Sequence, residues 1–171
     1  MRRGRPARES GAPVAPGDLP VTVAPAAADS VASRTPEDTL EAGARLAARE
    51  PGCRAFYLEG DLGAGKTVFA KGLAQHYGVD PRQVTSPTFA LVSRYGEGTR
   101  PVYHLDLYRI ERPEELRELG IEEMEEEDAV VIVEWPERLG PYRRADATRV
   151  RLVREANGAR RIEIRAGAEG R

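Results

Sequence analysis

Cysteine, histidine and lysine are scarce in this sequence of 171 residues, and long apolar runs are missing from it. A single cysteine, Cys53, excludes an intramolecular disulfide and any metal site built from several cysteines. Two histidines are too few for a histidine-rich metal centre. No apolar run reaches the roughly 18 residues of a membrane-spanning helix, and the N-terminal arginines precede no continuous apolar stretch of a secretory signal. We therefore expect a cytoplasmic protein.

Charge is nearly balanced overall but unevenly distributed along the chain. The formal net charge of -2 argues against a protein that binds nucleic acid by bulk charge alone. Residues 111–128 contain ten acidic residues and two arginines, whereas residues 138–171 contain ten arginines and four acidic residues. The second segment predicts a modest basic patch, for which the solvated faces of surface strands are the simpler interpretation.

The composition divides the chain into a tail and one domain. Residues 1–29 are rich in Arg, Ala, Pro and Gly, so they cannot bury enough apolar surface to offset the entropy of ordering. We expect a disordered tail there, with residues 21–23 as its one candidate strand. Residues 30–171 have the length of a single domain, and the hydrophobic fraction of 40% over the whole chain is typical of globular proteins.

Helix and strand patterns alternate early in the domain, and hairpin patterns come later. Thr35 and Pro36 predict a helix start, with Leu40, Ala44, Leu46 and Ala47 on its apolar face. Further elements are predicted as a strand at 55–58, a helix at 66–77, a hairpin of 89–95 with 102–108, a short helix at 113–119, a buried strand at 129–133, and a hairpin of 150–153 with 161–164. This order predicts an α/β sandwich, with a mixed parallel/antiparallel sheet flanked by helices.

A glycine-rich segment between a predicted strand and a predicted helix carries the clearest functional signal. Its residues are Gly60, Asp61, Leu62, Gly63, Ala64, Gly65, Lys66 and Thr67, which fit the P-loop pattern G-x-x-x-x-G-K-[ST] at every fixed position. Glycines let successive backbone N–H groups point at phosphates, and the start of a helix favours an anion further. Lys66 is placed to reach the β- and γ-phosphates, and the Thr67 hydroxyl to ligate Mg²⁺. The segment predicts ATP or GTP binding rather than an ordinary glycine-rich turn.

A P-loop needs an acidic side chain near the metal, and two residues qualify. Glu134 ends the apolar run Val130–Val133 and so resembles the acid of a Walker B strand, at the sheet edge where ligands bind in open α/β sheets. Asp106 lies in the segment His104-Leu105-Asp106-Leu107-Tyr108-Arg109. Each acid could instead be a surface residue or a salt-bridge partner, and the choice between them as metal anchor stays open.

Polar and aromatic residues near these motifs have two interpretations each. Thr85, Ser86 and Thr88 follow the loop helix, where hydroxyls could sense the γ-phosphate as a switch segment does, or could belong to a plain Ser/Thr/Pro turn. Trp135 directly follows Glu134 and could contact a partner or pack in the core. His104 is interpreted as a packed strand residue rather than a catalyst.

Four motifs in order resemble the TsaE (YjeE) family of bacterial ATPases, which are required for making threonylcarbamoyladenosine in tRNA. They are the P-loop at 60–67, Ser-Pro-Thr-Phe at 86–89, His-Leu-Asp-Leu-Tyr-Arg at 104–109 and Val-Glu-Trp-Pro at 133–136, and the likeness covers about residues 35–164. The resemblance implies a P-loop fold and a weak, Mg²⁺-dependent ATPase that works beside the partners TsaB and TsaD. It also implies that tRNA is contacted indirectly or weakly.

The resemblance also implies roles for individual residues. Thr67 and Glu134 would hold Mg²⁺, Lys66 would neutralise phosphate charge, and Asp106 would orient the attacking water or the metal shell. Thr39 on the first helix and Gly158 in the second hairpin would flank the nucleotide. The acidic stretch at 122–128 departs from the family pattern and leaves the conformation of the neighbouring loop open.

Two other functions fit the P-loop. A small kinase of this fold usually closes an arginine-bearing lid over the phosphates, whereas the obvious insertion here is acidic and would repel a phosphorylated substrate. A nucleotide-dependent binding module without productive turnover would carry the same loop. Without its partner, an ATPase that needs a group supplied by that partner would hydrolyse ATP too slowly to be distinguished from such a binding module.

Overall fold

The computed structural model describes residues 29–96 and 100–167, and a mixed sheet of seven strands forms the centre of this part of the chain. The strands are β1 (Asp29–Ser33), β2 (Ala55–Glu59), β3 (Val92–Tyr95), β4 (Val102–Asp106), β5 (Val130–Glu134), β6 (Thr148–Arg154) and β7 (Arg160–Arg165). They are arranged in the order β1-β7-β6-β2-β5-β4-β3. The four central strands β6, β2, β5 and β4 are parallel, and the outer strands pair antiparallel. The predicted mixed sheet is confirmed.

Two layers of helices cover the sheet unequally. The α-helices of the described residues are α1 (Pro36–Arg49), α2 (Lys66–His76) and α3 (Ile121–Glu126), with 3-10 helices at Pro113–Leu119 and Pro136–Tyr142. One apolar cluster lies between the sheet and the pair α1 and α2, and it includes residues of β2, β5, β6 and β7. The second cluster packs α3 and the 3-10 helices on the opposite face; its strand residues come from β2, β3, β4 and β5, and among the described residues none comes from β6 or β7. Within the described residues, no helix is long and apolar enough to cross a membrane.

The start of α1 shows how local sequence specifies an element. Thr35 is the N-cap, and its hydroxyl accepts a hydrogen bond of 3.0 Å from the Asp38 backbone N–H. The Asp38 carboxylate accepts from the Thr35 backbone N–H in return, at 3.0 Å, which completes a capping box. The predicted helix start is confirmed.

Close contact between α1 and α2 corrects the predicted buried face of α1. The buried residues are Thr39, Gly43, Leu46 and Ala47, whereas Leu40 and Ala44 are only half-buried. A Cβ built on Gly72 of α2 would lie 1.9 Å from the Leu40 backbone oxygen, so the two helix backbones touch at this point. The face is therefore centred on small residues, which an apolar pattern alone does not reveal.

Replacing Gly72 with alanine is expected to lower the free energy of unfolding by at least about 2 kcal/mol, because the new methyl group overlaps backbone atoms that cannot rotate away. Urea unfolding followed by circular dichroism measures the change. Gly52→Ala is the matched control, since no heavy atom lies within 4 Å of a Cβ at that position. We expect the control to stay within about 0.5 kcal/mol of the native protein. Equal stability of both variants would contradict the close helix contact.

Several elements differ from the sequence prediction. Strand β1, helix α3 and the 3-10 helix Pro136–Tyr142 were not predicted, and β3 begins at Val92 rather than at residue 89. The backbone turns before β3: Leu91 has a φ of 64° and its N–H donates to the Pro87 oxygen, which leaves Phe89 84% exposed. The predicted tail falls almost wholly on residues 1–28, which lie outside the described residues, as does the candidate strand at 21–23.

Candidate nucleotide-binding site

Three parallel strands bring the P-loop and both candidate acids to one edge of the sheet. Strand β5 lies between β2 and β4, and the register pairs Glu134 with Leu58 on one side and with Asp106 on the other. The P-loop directly follows β2. Because the carboxyl ends of parallel strands meet at one edge, residues far apart in sequence converge here.

The last glycine of the P-loop, Gly65, adopts a backbone conformation that favours glycine. Gly65 has φ 105° and ψ 17°, a left-handed conformation, and immediately precedes α2. A Cβ at this position would lie 2.9 Å from Nε of Arg160 as well. Of the other loop residues, Asp61, Leu62 and Gly63 are exposed and Ala64 is buried. The glycine therefore positions the loop over the N-terminus of α2, where helix geometry favours an anion.

The Lys66 ammonium is buried and held by the loop itself. Its Nζ donates to the backbone oxygens of Gly60 and Asp61, at 2.7 and 2.9 Å. The same atom lies 3.9 Å from the centroid of the Trp135 ring, within the range of a cation–π interaction. Burial lowers the pKa of Lys66 from its ordinary value, and the nearby carboxylate of Glu134 acts in the opposite direction. A polyphosphate near Nζ would favour the charged form further.

Glu134 of β5 forms hydrogen bonds both to helix α2 and to the neighbouring strand β4. Its Oε1 accepts from the Thr67 hydroxyl at 2.8 Å and lies 3.0 Å from Nε2 of His104. Only 3% of Glu134 is exposed. A buried carboxylate is costly unless it accepts hydrogen bonds, so these two partners are what make its position tolerable. The hydroxyl and the carboxylate that were predicted to share a metal are thus in direct contact.

The tautomer of His104 follows from its surroundings. The residue is 1% exposed, and within the described part of the chain its Nδ1 has no hydrogen-bond partner. We assign the proton to Nε2, which then donates to Glu134, because a protonated Nδ1 would be a buried donor without an acceptor. The interpretation of His104 as a packed strand residue is confirmed. Sequence reasoning missed that it also orients Glu134.

Asp106 is held by the segment for which a switch and a plain turn were both open. Its Oδ2 accepts from the hydroxyls of Ser86 and Thr88, at 2.5 and 3.0 Å, and its Oδ1 accepts from the Tyr108 backbone N–H at 3.1 Å. For Thr85 the contacts are those of its backbone, whose N–H and carbonyl oxygen each lie 3.4 Å from the Tyr95 hydroxyl. A displacement of residues 86–88 would therefore free Oδ2 of Asp106, while Oδ1 would keep the Tyr108 N–H.

Trp135 lies over the site in an uncommon backbone conformation. Its φ of 61° and ψ of 51° are left-handed, although the residue is not glycine. This turn directs the indole toward Lys66, and its ring centroid lies 5.0 Å from that of Tyr108. Outliers of this kind cost free energy and cluster at ligand sites, which fits the position of Trp135 in the wall of the cleft.

An open cleft of about 370 Å³ lies in front of these groups. Its wall includes most of the predicted site residues, together with Val68, Tyr108 and Arg160. The predicted residues in the wall are Leu62, Gly63, Gly65, Lys66, Thr67, Ser86, Thr88, Asp106, Glu134 and Trp135. A volume of this size is in the range of small-molecule sites.

Thr39 and Gly158, which were expected to flank the nucleotide, are not among the described residues of the cleft wall. The Thr39 hydroxyl is buried and bonds instead to the Ser33 hydroxyl and the Thr35 backbone oxygen, at 2.6 and 3.1 Å. Gly158 occupies the β6–β7 turn with a φ of 83°. The β6–β7 hairpin does reach the site, but it does so through Arg160, two residues after Gly158.

That residue, Arg160, was missed by the sequence reasoning. Its Nε donates to the backbone oxygen of Ala64 at 3.0 Å, and its side chain borders Gly65. The one available signal was the Asn157-Gly158 turn, which sets Arg160 as the first residue of β7. Only the packing of the hairpin against the loop shows that this arginine brings a positive charge to the P-loop side of the cleft.

The donors at this edge suit magnesium. Thr67, Glu134 and Asp106 offer a hydroxyl and carboxylate oxygens, which are the hard ligands that Mg²⁺ prefers. The described residues contain no group of three or more His, Cys, Asp or Glu side chains that could hold a metal alone. Mg²⁺ is usually bound through one or two carboxylates together with substrate phosphates, so the residues present fit a metal that arrives with a nucleotide.

Comparisons with known proteins agree with one another. The family model described as "Threonylcarbamoyl adenosine biosynthesis protein TsaE" matches residues 33–162. The tRNA threonylcarbamoyladenosine biosynthesis protein TsaE of a Nostoc species is 39% identical over 132 residues, covering 75% of this chain and 80% of the relative. The protein of the same name from Bacillus subtilis is 38% identical over 133 residues, with coverages of 77% and 81%. The crystal structure of Bacillus subtilis YdiB is similar in fold, with a TM-score of 0.60 and 30% identity, over 83% of this chain and 88% of that one.

Proposed function

The chain belongs to the TsaE family, and on that premise we propose that it binds and hydrolyses ATP in the synthesis of threonylcarbamoyladenosine on tRNA. Membership of this family implies a nucleotide-binding protein with a role in tRNA modification. The finer parts of the proposal are the choice of ATP with Mg²⁺, the hydrolysis step, the cytoplasmic location and the partners TsaB and TsaD. Hydrolysis would reset the complex of those partners between turnovers.

One observation carries the proposal: the Thr67 hydroxyl lies 2.8 Å from the Glu134 carboxylate. The two residues are 67 positions apart in the sequence, and each was selected for a different reason. Thr67 is the last position of the P-loop, and Glu134 is the acid at the end of a buried strand. Their contact supports a site in which one cation is held between the loop helix and the strand end.

Four residues of the chain would have separate roles in hydrolysis. Lys66 would leave the carbonyl oxygens of Gly60 and Asp61 and neutralise charge on the β- and γ-phosphates. Asp106, held by Ser86 and Thr88, would orient the attacking water. Bound Mg²⁺ would supply charge neutralisation at the phosphate oxygens, held by Thr67 and Glu134.

The pairing of Asp106 with Ser86 and Thr88 would give the site a means of signalling. Ser86 and Thr88 each donate to Asp106, and their hydroxyl oxygens lie 2.6 Å apart, so a phosphate that attracts either hydroxyl would break this network. Phe89, which follows directly, is largely exposed and stacks against the Arg109 guanidinium at 4.5 Å. A change at the γ-phosphate would therefore alter an exposed surface, which is what a partner protein can read.

ATP hydrolysis measured with and without a purified TsaB–TsaD pair tests this proposal. We expect slow turnover alone and at least about tenfold stimulation by the pair, because P-loop proteins often await a group supplied by a partner. Equal rates with and without the pair would contradict the proposed coupling. Transfer of the γ-phosphate to a small molecule would favour a kinase, and ATP binding without hydrolysis under either condition would favour a binding module.

A further inference from the structure

One face of the sheet is left uncovered where β6 and β7 pair. Among the described residues, the apolar cluster of the second helical layer contains no residue of β6 or β7, so the outward side chains of these two strands lie outside it. We call these outward residues the arginine face: Arg149, Arg151 and Val153 of β6, and Arg161, Glu163 and Arg165 of β7. Their inward neighbours, such as Val150 and Ile162, are buried against α1 and α2.

Positive charge on the arginine face exceeds what local acids neutralise. Glu163 pairs with Arg161, and the adjacent Glu59 of β2 pairs with Arg143 at 3.0 Å. Within the described residues, Arg149, Arg151 and Arg165 form no ion pair. These three arginines surround a shallow hollow of about 110 Å³ that also contains the two glutamates. The hollow is therefore a positively charged recess on an exposed surface.

The register of the hairpin places like charges against each other. Arg149 lies directly opposite Arg165, and Arg151 follows two residues later on the same side of β6. Like charges directly opposite on a sheet are destabilising. An anion bound between these guanidinium groups would replace that repulsion with charge-assisted hydrogen bonds.

We propose that the arginine face binds the phosphate backbone of an RNA helix. The choice of RNA rests on the proposed role in tRNA modification. The face has no aromatic side chain on which a base could stack and only Val153 as an aliphatic one. It therefore suits phosphate contacts, which position a nucleic acid without reading its sequence. A stable protein interface would instead need an apolar core.

The N-terminal segment of the chain carries charge of the same sign as the face. Residues 1–28 precede β1, which is the neighbour of β7 at the edge of the sheet. They contain four arginines against Glu9 and Asp18, so they carry net positive charge. Next to the face, β1 presents the small exposed residues Ser30 and Ala32 opposite Glu163 and Arg161. The residues that the structure describes thus leave the arginine face open to an extended polyanion.

The test compares two triple variants of the full chain with equal loss of charge. The first is Arg149→Gln, Arg151→Gln and Arg165→Gln. The control is Arg45→Gln, Arg49→Gln and Arg82→Gln, three exposed arginines that each pair with one carboxylate away from the face. Binding of a fluorescein-labelled, unmodified tRNA transcript is followed by anisotropy across a range of salt concentrations.

We expect the first variant to lose at least about tenfold in affinity for the tRNA at low salt. Its plot of log affinity against log salt should be less steep by about 2 to 3 units, since each phosphate contact contributes roughly 0.7 to 0.9. The control variant should keep both the affinity and the slope of the native protein. Equal affinities and slopes for the two variants would overturn the proposal, as would a native protein that does not bind the tRNA.

ATP binding, followed through Trp135 fluorescence in the same samples, separates this inference from the proposed function. A native protein that binds ATP but not tRNA refutes the RNA-binding face alone. A native protein that binds tRNA through the face but shows no affinity for ATP refutes the proposed function and leaves the face standing. If the first variant binds tRNA normally but is no longer stimulated by TsaB–TsaD, the face docks a protein and the RNA assignment is wrong.

Discussion

Replacing Lys66 with alanine is expected to slow ATP hydrolysis by at least about a hundredfold, which corresponds to about 2.7 kcal/mol of lost transition-state stabilisation. In the proposed site the ammonium is the cation that the loop itself would place beside the phosphates, and its low exposure limits the screening of its charge by solvent. ATP binding should weaken as well, because the same charge acts on the bound triphosphate. Hydrolysis is measured as phosphate release at saturating Mg²⁺.

The chain provides its own control for this experiment, since it contains only one other lysine. Lys71 lies on the same helix and does not line the described part of the cleft wall, so Lys71→Ala should leave both rate and affinity unchanged. Trp135 reports on binding: ATP should draw Nζ of Lys66 away from the indole and change its fluorescence. Normal ATP affinity and normal hydrolysis in Lys66→Ala would contradict the assignment of Lys66 to the phosphates.

Elements with a strong local signal could be predicted from the sequence. The capping residues Thr35 and Asp38, the apolar run of β5 and the Asn157-Gly158 turn each determine a structure within a few residues. Strand β1 carries no such signal: four of its five residues are exposed, and it is a strand because it pairs with β7 more than a hundred residues later. Its existence depends on tertiary pairing, which propensity does not encode.

The residues of the candidate site show the same difference between local sequence signals and tertiary packing. Lys66, Thr67 and Glu134 were found because each stands at a fixed place in a motif or at a strand end. The contribution of Arg160 could not be found, since it depends on the packing of one hairpin against the loop. The bond from His104 to Glu134 likewise requires that β4 and β5 be neighbours in parallel register. Strand order is the missing information in both cases.

Replacing Glu134 with glutamine is expected to reduce ATP hydrolysis by at least about a hundredfold while ATP binding stays within a few-fold of the native value. The amide keeps the size of the side chain and an oxygen for Thr67, but it removes the negative charge that would hold Mg²⁺ against the loop helix. Raising the Mg²⁺ concentration should restore part of the rate, because the affinity for the metal has fallen. The measurement is the rate as a function of Mg²⁺ at saturating ATP.

Two further variants decide between Glu134 and Asp106 as the metal anchor. Asp106→Asn should slow hydrolysis with little change in the Mg²⁺ dependence, because its carboxylate is occupied by Ser86 and Thr88. Glu137→Gln removes the same charge from an exposed position near Lys66 and should alter neither quantity. If Glu134→Gln hydrolyses ATP normally and Asp106→Asn loses its response to Mg²⁺, the anchor is Asp106. The hydrogen bond between Thr67 and Glu134 would then only stabilise the start of α2.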